Sequence, residues 1–227
     1  AAGRLRALGL SDADAAALLD SAWPIKLDER VRDRILAEAR GNPEALLAPS
    51  QDLSTAELAG GFGLIDPQAP PTEAGEELAG GLAALPAETR RLLLLAAADP
   101  VGDPLLFWAS AAELGIEPSA ASAAVADGLL AMGERVTFRD PRVRSALYRS
   151  APIDSRREVH LALARATDGD SDPDRRAWHL AAAAPGPDEE VAAELERAAG
   201  RAEQRGGRAA AAAFLQRAAA LTIDPAA

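Results

Sequence analysis

Two histidines, an apolar run closed by an aspartate, a Gly-Asn-Pro triplet and a cluster of arginines are the residues of this 227-residue chain whose types and spacing could do chemistry. His160 and His179 are the only histidines. A metal site needs three or four ligands at suitable spacing, and neither histidine has them nearby in sequence. No GxSxG turn presents a serine nucleophile. Each histidine therefore reads as packed on, or exposed along, a helix face. The run Leu92-Leu93-Leu94-Leu95-Ala96-Ala97-Ala98-Asp99 imitates the strand and aspartate that hold magnesium in nucleotide hydrolases. Its context is helical, because Pro86-Ala87-Glu88-Thr89 opens a helix, and no GxxxxGK[ST] loop exists to cradle phosphates. We read it as a core helix. Gly41-Asn42-Pro43 is a helix stop followed by a helix start; the functional alternative is a proline ring packed on a nucleotide base at a domain junction. Arg139, Arg142, Arg144 and Arg149 form a basic patch. Asp140 lies within it and Glu134 nearby, so a face turned to another domain or a partner is expected rather than DNA contact.

The elements that must position these residues centre on residues 136–148. Val136 to Arg139 reads as a short strand with apolar residues two apart. Asp140 can cap the first amides of a helix, and Pro141 at the first helical position loses nothing. Val143, Ala146 and Leu147 then fall at i, i+3, i+4 and give that helix one apolar face. Gly128 to Met132 supplies a partner strand turned at Gly133-Glu134. Helices, a hairpin and a helix in this order read as a winged-helix unit.

Composition bounds the rest. The chain is 48% hydrophobic but only 4% aromatic, so Ala and Leu carry the apolar content and an all-helical fold with closely approaching helices is expected. A net charge of −11 argues against a phosphate-binding surface over most of the chain. No cysteine is present, which excludes disulfides and thiolate metal sites. No apolar run approaches the roughly 18 residues of a membrane helix, no secretory signal is visible, and the chain begins at Ala1. It reads as a cytoplasmic piece of a longer protein.

In order, residues 4–8 suggest the end of a strand. Helices are expected over 11–21, 27–40 and 43–47, with one or two turns at 54–59. A Gly- and Pro-rich linker covers 60–71. Further helices are expected over 72–84, 86–98, 105–114, 118–127 and 141–150. From Asp154 the pattern becomes helical pairs, at 154–167, 173–184, 188–204 and 208–221. The pairs begin roughly 33 residues apart, close to the tetratricopeptide period of about 34. Ala199, Ala211 and Ala218, with Leu195 and Leu215, fit the small and large positions of such a repeat.

Seven stretches together resemble the middle region of actinobacterial LuxR-type large ATP-binding transcriptional regulators of the STAND class. They are LSDADAAALLD (10–20), LDERVRDRILAEARGNPEALL (27–47), LAALPAETRRLLLLAAADPVGDP (82–104), VTFRDPRVRSALYRSAP (136–152), SRREVHLALARATD (155–168), 172–202 and GGRAAAAAFLQRAAALT (206–222). The resemblance implies a mainly α fold in three parts: a helical lid subdomain with a trailing linker (1–71), a winged-helix subdomain with a small β-hairpin (72–152), and the start of a tetratricopeptide-like sensor (153–227). In that family the lid's GxP element contacts adenine, which would fall on Gly41, Asn42 and Pro43. A winged-helix histidine holds the ADP phosphate, and its place here is taken by Asp140. An anionic side chain repels a diphosphate, so ADP is held differently, a cation intervenes, or this protein is released from that restraint.

The expectation is therefore a non-catalytic regulatory fragment. It would hold no cofactor of its own, while ATP or ADP is implied for the full-length protein. Its partners would be an ATPase core and a C-terminal DNA-binding domain of the same protein, and an inducer or protein ligand on the repeats. No membrane contact and no direct DNA binding by this region are expected. A self-contained helical scaffold for a protein or peptide is the alternative. An unusual enzyme built on His160 or His179 is a third reading.

Overall fold

The computed structural model describes residues 10–22, 32, 35–36, 43–47, 80–99 and 101–223, and among them lie ten helices and one two-stranded hairpin. The expected strand at 4–8, most of the helix at 27–40, the turns at 54–59, the linker at 60–71 and the start of the helix at 72–84 fall outside the described residues. Helix α1 (Asp12–Ala22) begins where the sequence places it. The Ser11 Oγ accepts from the Asp14 amide at 3.2 Å and donates to the Asp14 carboxylate at 2.6 Å, which satisfies an amide that the first turn leaves unpaired. Ala15 and Leu19 of α1 bury against Ile35 and against Leu46 of the short helix α2 (Pro43–Leu47).

Helix α3 (Ala87–Ala98) is the axis of the larger core. Its residues Leu92 to Ala98 are all buried, and a helix apolar on every side must be enclosed. The enclosing elements are α4 (Pro104–Glu113), α5 (Ala120–Ala126), α6 (Pro141–Ser150) and α7 (Ile153–Ala166). Asp103 caps α4 by accepting from the Leu105 and Leu106 amides. The buried Thr89 hydroxyl donates to the Ala120 carbonyl at 3.1 Å and holds α5 to α3.

Strands β1 (Leu130–Met132) and β2 (Val136–Phe138) pair antiparallel, with Leu130 opposite Phe138 and Met132 opposite Val136. Leu130 and Val136 are buried while Thr137 is exposed, as the period-two pattern requires. The Val136 amide donates to the Gly102 carbonyl at 2.8 Å, so the loop after α3 binds the other edge of β2. Asp140 caps α6 by accepting from the Arg142 amide at 2.9 Å, with Pro141 in the first turn. Val143, Ala146 and Leu147 are buried, joined by Tyr148.

A second apolar cluster is built by α8 (Pro173–Ala183), α9 (Glu189–Gln204) and α10 (Arg208–Ala219), around Ala177, Leu195, Ala198 and Phe214. Ala199, Ala211 and Ala218 are buried as expected, but Leu215 is 51% exposed. Phe214 takes the large position instead, and Leu215 lies about 100° further round the helix, toward solvent. Helix α7 touches both clusters, placing Val159 and Leu163 in the first and packing along α8 of the second. No helix among the described residues is long and apolar enough to cross a membrane.

Gly102 has φ +67°, and a Cβ there would be driven into the Val136 carbonyl oxygen. Gly115 has φ +66° with open space around its Cβ position. Gly115→Ala should cost about 1 kcal/mol from backbone strain alone, and Gly102→Ala about 2 kcal/mol or more because the hairpin must also shift. Urea midpoints of the two variants measure the difference; equal losses would remove the β2 contact from the account.

Candidate functional site

The chemistry-bearing residues gather between the two apolar clusters. Asp99 follows the last turn of α3, and its carboxylate accepts from the Gly102 amide at 3.2 Å. The same oxygen, Oδ2, accepts from Arg175 Nη2 of α8 at 2.6 Å. Both side chains are buried, at 4% and 7% exposure, so each charge depends on the other for compensation. The second Arg175 nitrogen stands 4.0 Å from the α4 cap, Asp103. Next to Arg175, the buried Asp174 accepts from Arg201 of α9 at 2.6 Å and from Arg205, the residue that ends α9, at 3.0 Å. The aspartate that imitates a magnesium ligand is thus the end of a core helix and one half of a buried ion pair.

The two histidines meet one helix turn from this pair. His160 on α7 and His179 on α8 bring their Nδ1 atoms to 3.0 Å, and His160 Nε2 lies 2.8 Å from the Tyr148 hydroxyl of α6. All three residues are buried, the histidines at 0% and 1% exposure. A neutral imidazole has one donor and one acceptor nitrogen, and this fixes the protons. If His160 donates from Nδ1, its Nε2 accepts the Tyr148 proton, and only the His179 Nε2–H lacks a partner among the described residues. If His179 donates instead, the Tyr148 proton and the His179 Nε2 lone pair are both left over. The first arrangement leaves fewer buried groups unpaired and is favoured.

Electrostatics keep both rings neutral. Burial, the neighbouring His179 and Arg217 hold His160 well below the ordinary histidine value. Burial first and Arg175 second bring His179 down to about 3. Burial pushes the Tyr148 hydroxyl up to about 12, so it stays a donor. Arg217 of α10 reaches this region, with Nη2 donating to the Ala181 carbonyl at 2.7 Å.

Of the residues expected to contact nucleotide, neither Pro43 nor Asp140 belongs to this cluster. Gly41 and Asn42 lie outside the described residues, and Pro43 heads α2 with its ring exposed. Asp140 is the α6 cap and is gripped by the Arg142 guanidinium at 2.7 and 3.1 Å. Those bonds hold its carboxyl below the usual carboxylate range. The arginine patch is divided: Arg142 turns to Asp140, and Arg144 Nε donates inward to the Ala97 carbonyl at 3.0 Å. The described residues include no group of three or more side chains suited to a metal ion. Sequence reading placed the histidines separately and missed Tyr148, Arg175 and Arg217. The available signal was Arg175, Trp178 and His179 at i, i+3, i+4, a helix face on which polar and apolar residues are mixed.

Arg175→Met would leave the Asp99 charge buried alone and should cost about 3–5 kcal/mol. Adding Asp99→Asn should recover part of that loss, since an amide still accepts from the Gly102 amide and carries no charge. A double-mutant cycle by urea denaturation measures the coupling; strictly additive losses would count against a compensated pair. With only two histidines, the imidazole nitrogen spectrum at pH 7 should show His160 carrying its proton on Nδ1 and His179 on Nε2. The opposite assignment would reverse the bonding scheme. No protein-family model, curated protein or solved structure matches this chain.

Proposed function

We propose that this chain is a non-catalytic regulatory region of an ATP-dependent LuxR-type transcriptional regulator. The α3–α7 hairpin unit acts as a winged-helix subdomain beside a nucleotide-binding core carried elsewhere in the protein. Helices α8–α10 act as the first tetratricopeptide-like pairs of a sensor, and α1–α2 belong to a helical lid. The work of such a region is to bias a two-state packing by nucleotide and by inducer. The observation that supports this reading is the polar seam between the two larger apolar clusters, on an element order of helices, hairpin, helix and helical pairs. A second support is that the acid-base groups are sealed from substrate, both histidines being at most 1% exposed.

Asp140 fits a restraint that has changed its chemistry. It is a helix cap held anionic by Arg142, and a carboxylate there repels a diphosphate. The alternative, a self-contained helical scaffold for a peptide, requires no nucleotide at all.

Calorimetric titration of ADP and ATP into the chain alone, and into a version extended by its upstream residues, separates the two readings. The chain alone should bind neither nucleotide and turn over no ATP. The extended protein should bind ADP, and Asp140→His should tighten that binding by about tenfold, the gain expected when a repulsion of about 1.4 kcal/mol is removed. Absence of binding in every version would give the scaffold reading the lead, and ATP turnover by the chain alone would overturn the non-catalytic assignment.

A further inference from the structure

The seam separates two cores that share few apolar side chains. The first gathers residues from Leu82 to Leu163 and the second from Ala177 to Leu221. Between them lie His160, His179, Asp99, Arg175 and Arg217, and Tyr148 of the first core joins them through its hydroxyl. We propose that the His160–His179 pair is an acid-operated joint: protonation of the pair separates α8–α10 from the α3–α7 unit while each apolar core stays folded. This goes beyond the proposed regulatory role and holds for either reading of it.

The argument begins with the lone pairs. In the closed arrangement the acceptor nitrogen of each ring is already engaged, His160 Nε2 by the Tyr148 hydroxyl and His179 Nδ1 by the His160 N–H. A proton can enter only by breaking the bond between the rings or by turning the Tyr148 hydroxyl into an acceptor, which leaves its own buried proton unpaired. The resulting imidazolium would also be buried, without water to solvate it. Once α7 and α8 part, both rings face solvent and take up protons at their ordinary value near 6.5.

The surrounding arginines act in the same direction, with Asp99 opposing them. Facing the pair are Tyr148 from α6, Arg156 from α7, Arg175 from α8, Arg217 from α10 and Asp99 from the end of α3, while Arg144 of α6 acts on Tyr148. Asp99 is the one anion in that set and is taken by Arg175 at 2.6 Å. Asp103 at the head of α4 stands at 4.0 Å from Arg175, and Arg201 of α9 and Arg205 at its C-terminal end are held by Asp174. Glu158 of α7 pairs with Arg91 of α3 at the surface. Asp99 alone favours an imidazolium in the seam, and burial, the facing histidine and Arg217 each outweigh it.

The direction in pH follows from the depressed histidines. Above about pH 7 both states hold neutral rings and the joint stays closed. As pH falls below 6.5, the open state binds protons that the closed state refuses. The opening constant then rises up to tenfold per pH unit for each proton taken up. Between pH 7 and pH 5 that is about 25-fold for one proton and about 600-fold for two.

The chain has no cysteine, which allows a clean two-site label. Ala112→Cys on α4 and Glu196→Cys on α9, both exposed, place a donor and an acceptor dye on opposite sides of the seam. From pH 7 to pH 5 a long-distance population should appear, in step with protonation of the two rings followed by nitrogen NMR. Amides of Leu92 to Leu95 should stay protected throughout. In a His160→Gln, His179→Gln variant the long-distance population should not change over the same range. Ring protonation without separation would overturn the proposal. So would loss of both cores together, or the same pH profile in the double variant. Should that variant fail to fold, the wild-type coincidence of ring titration and separation decides the matter alone.

Discussion

The Asp99–Arg175 ion pair is the constraint on which the architecture depends. Asp99 stands where α3 ends, and its carboxylate fixes the Gly102 amide while holding the guanidinium from α8. The Gly102 carbonyl in turn takes the Val136 amide of β2. One buried carboxylate thus orients the loop that carries the outer edge of the hairpin and anchors the first helix of the second core. Its partner lies 76 residues away in sequence, so the contact closes a long loop of chain and ties together segments that local propensity cannot relate.

The seam follows a consistent chemical logic. Each buried charge has a counter-charge: Arg175 on Asp99, Arg201 and Arg205 on Asp174. Groups that can be neutral are kept neutral: the histidines by burial and surrounding arginines, the tyrosine by burial. The Tyr148–His160–His179 chain satisfies most of its own donors and acceptors, so it can be buried without a net charge. A polar layer of this kind is stable while closed, yet its contents are at home in water when exposed. The apolar clusters on either side lack that second option.

Much of the fold was legible because its signals are local. Asp140-Pro141 marks a helix start by capping and by a proline that costs no bond, and α6 begins there with the predicted cap. Val143, Ala146 and Leu147 gave the buried face, and the strand pattern at 136–138 gave the hairpin. The choice of core helix over nucleotide-hydrolase strand for Leu92 to Asp99 also rested on a local cue, the Pro86 opening. The seam was not legible, because its members come from four helices and a loop. His160 and His179 sit 19 residues apart across the 167–172 turn, a spacing that fits no ligand motif. Leu215 shows the limit within a single helix: an alanine-rich face of weak amphipathic contrast does not distinguish it from Phe214, and the aromatic side chain takes the buried position. Nothing bears on Gly41 and Asn42, which lie outside the described residues.

The seam also answers a problem that the composition creates. Replacing a buried ion pair with apolar residues of equal volume is often neutral or stabilising, so the polar layer is not explained by stability alone. The second core is made largely of alanine, and alanine faces are smooth, so many helix registers bury nearly the same area. Hydrogen bonds are more exacting. Displacing α8 by one turn along α7 would move Arg175 from Asp99 and His179 from His160 by about 5.4 Å at once. Two buried charges and an imidazole chain would then be unpaired, at several kcal/mol in total. The polar contacts therefore select one register out of several that the apolar surface would accept. That makes the junction between the two cores both specific and separable, which a purely apolar junction of alanine faces would not be.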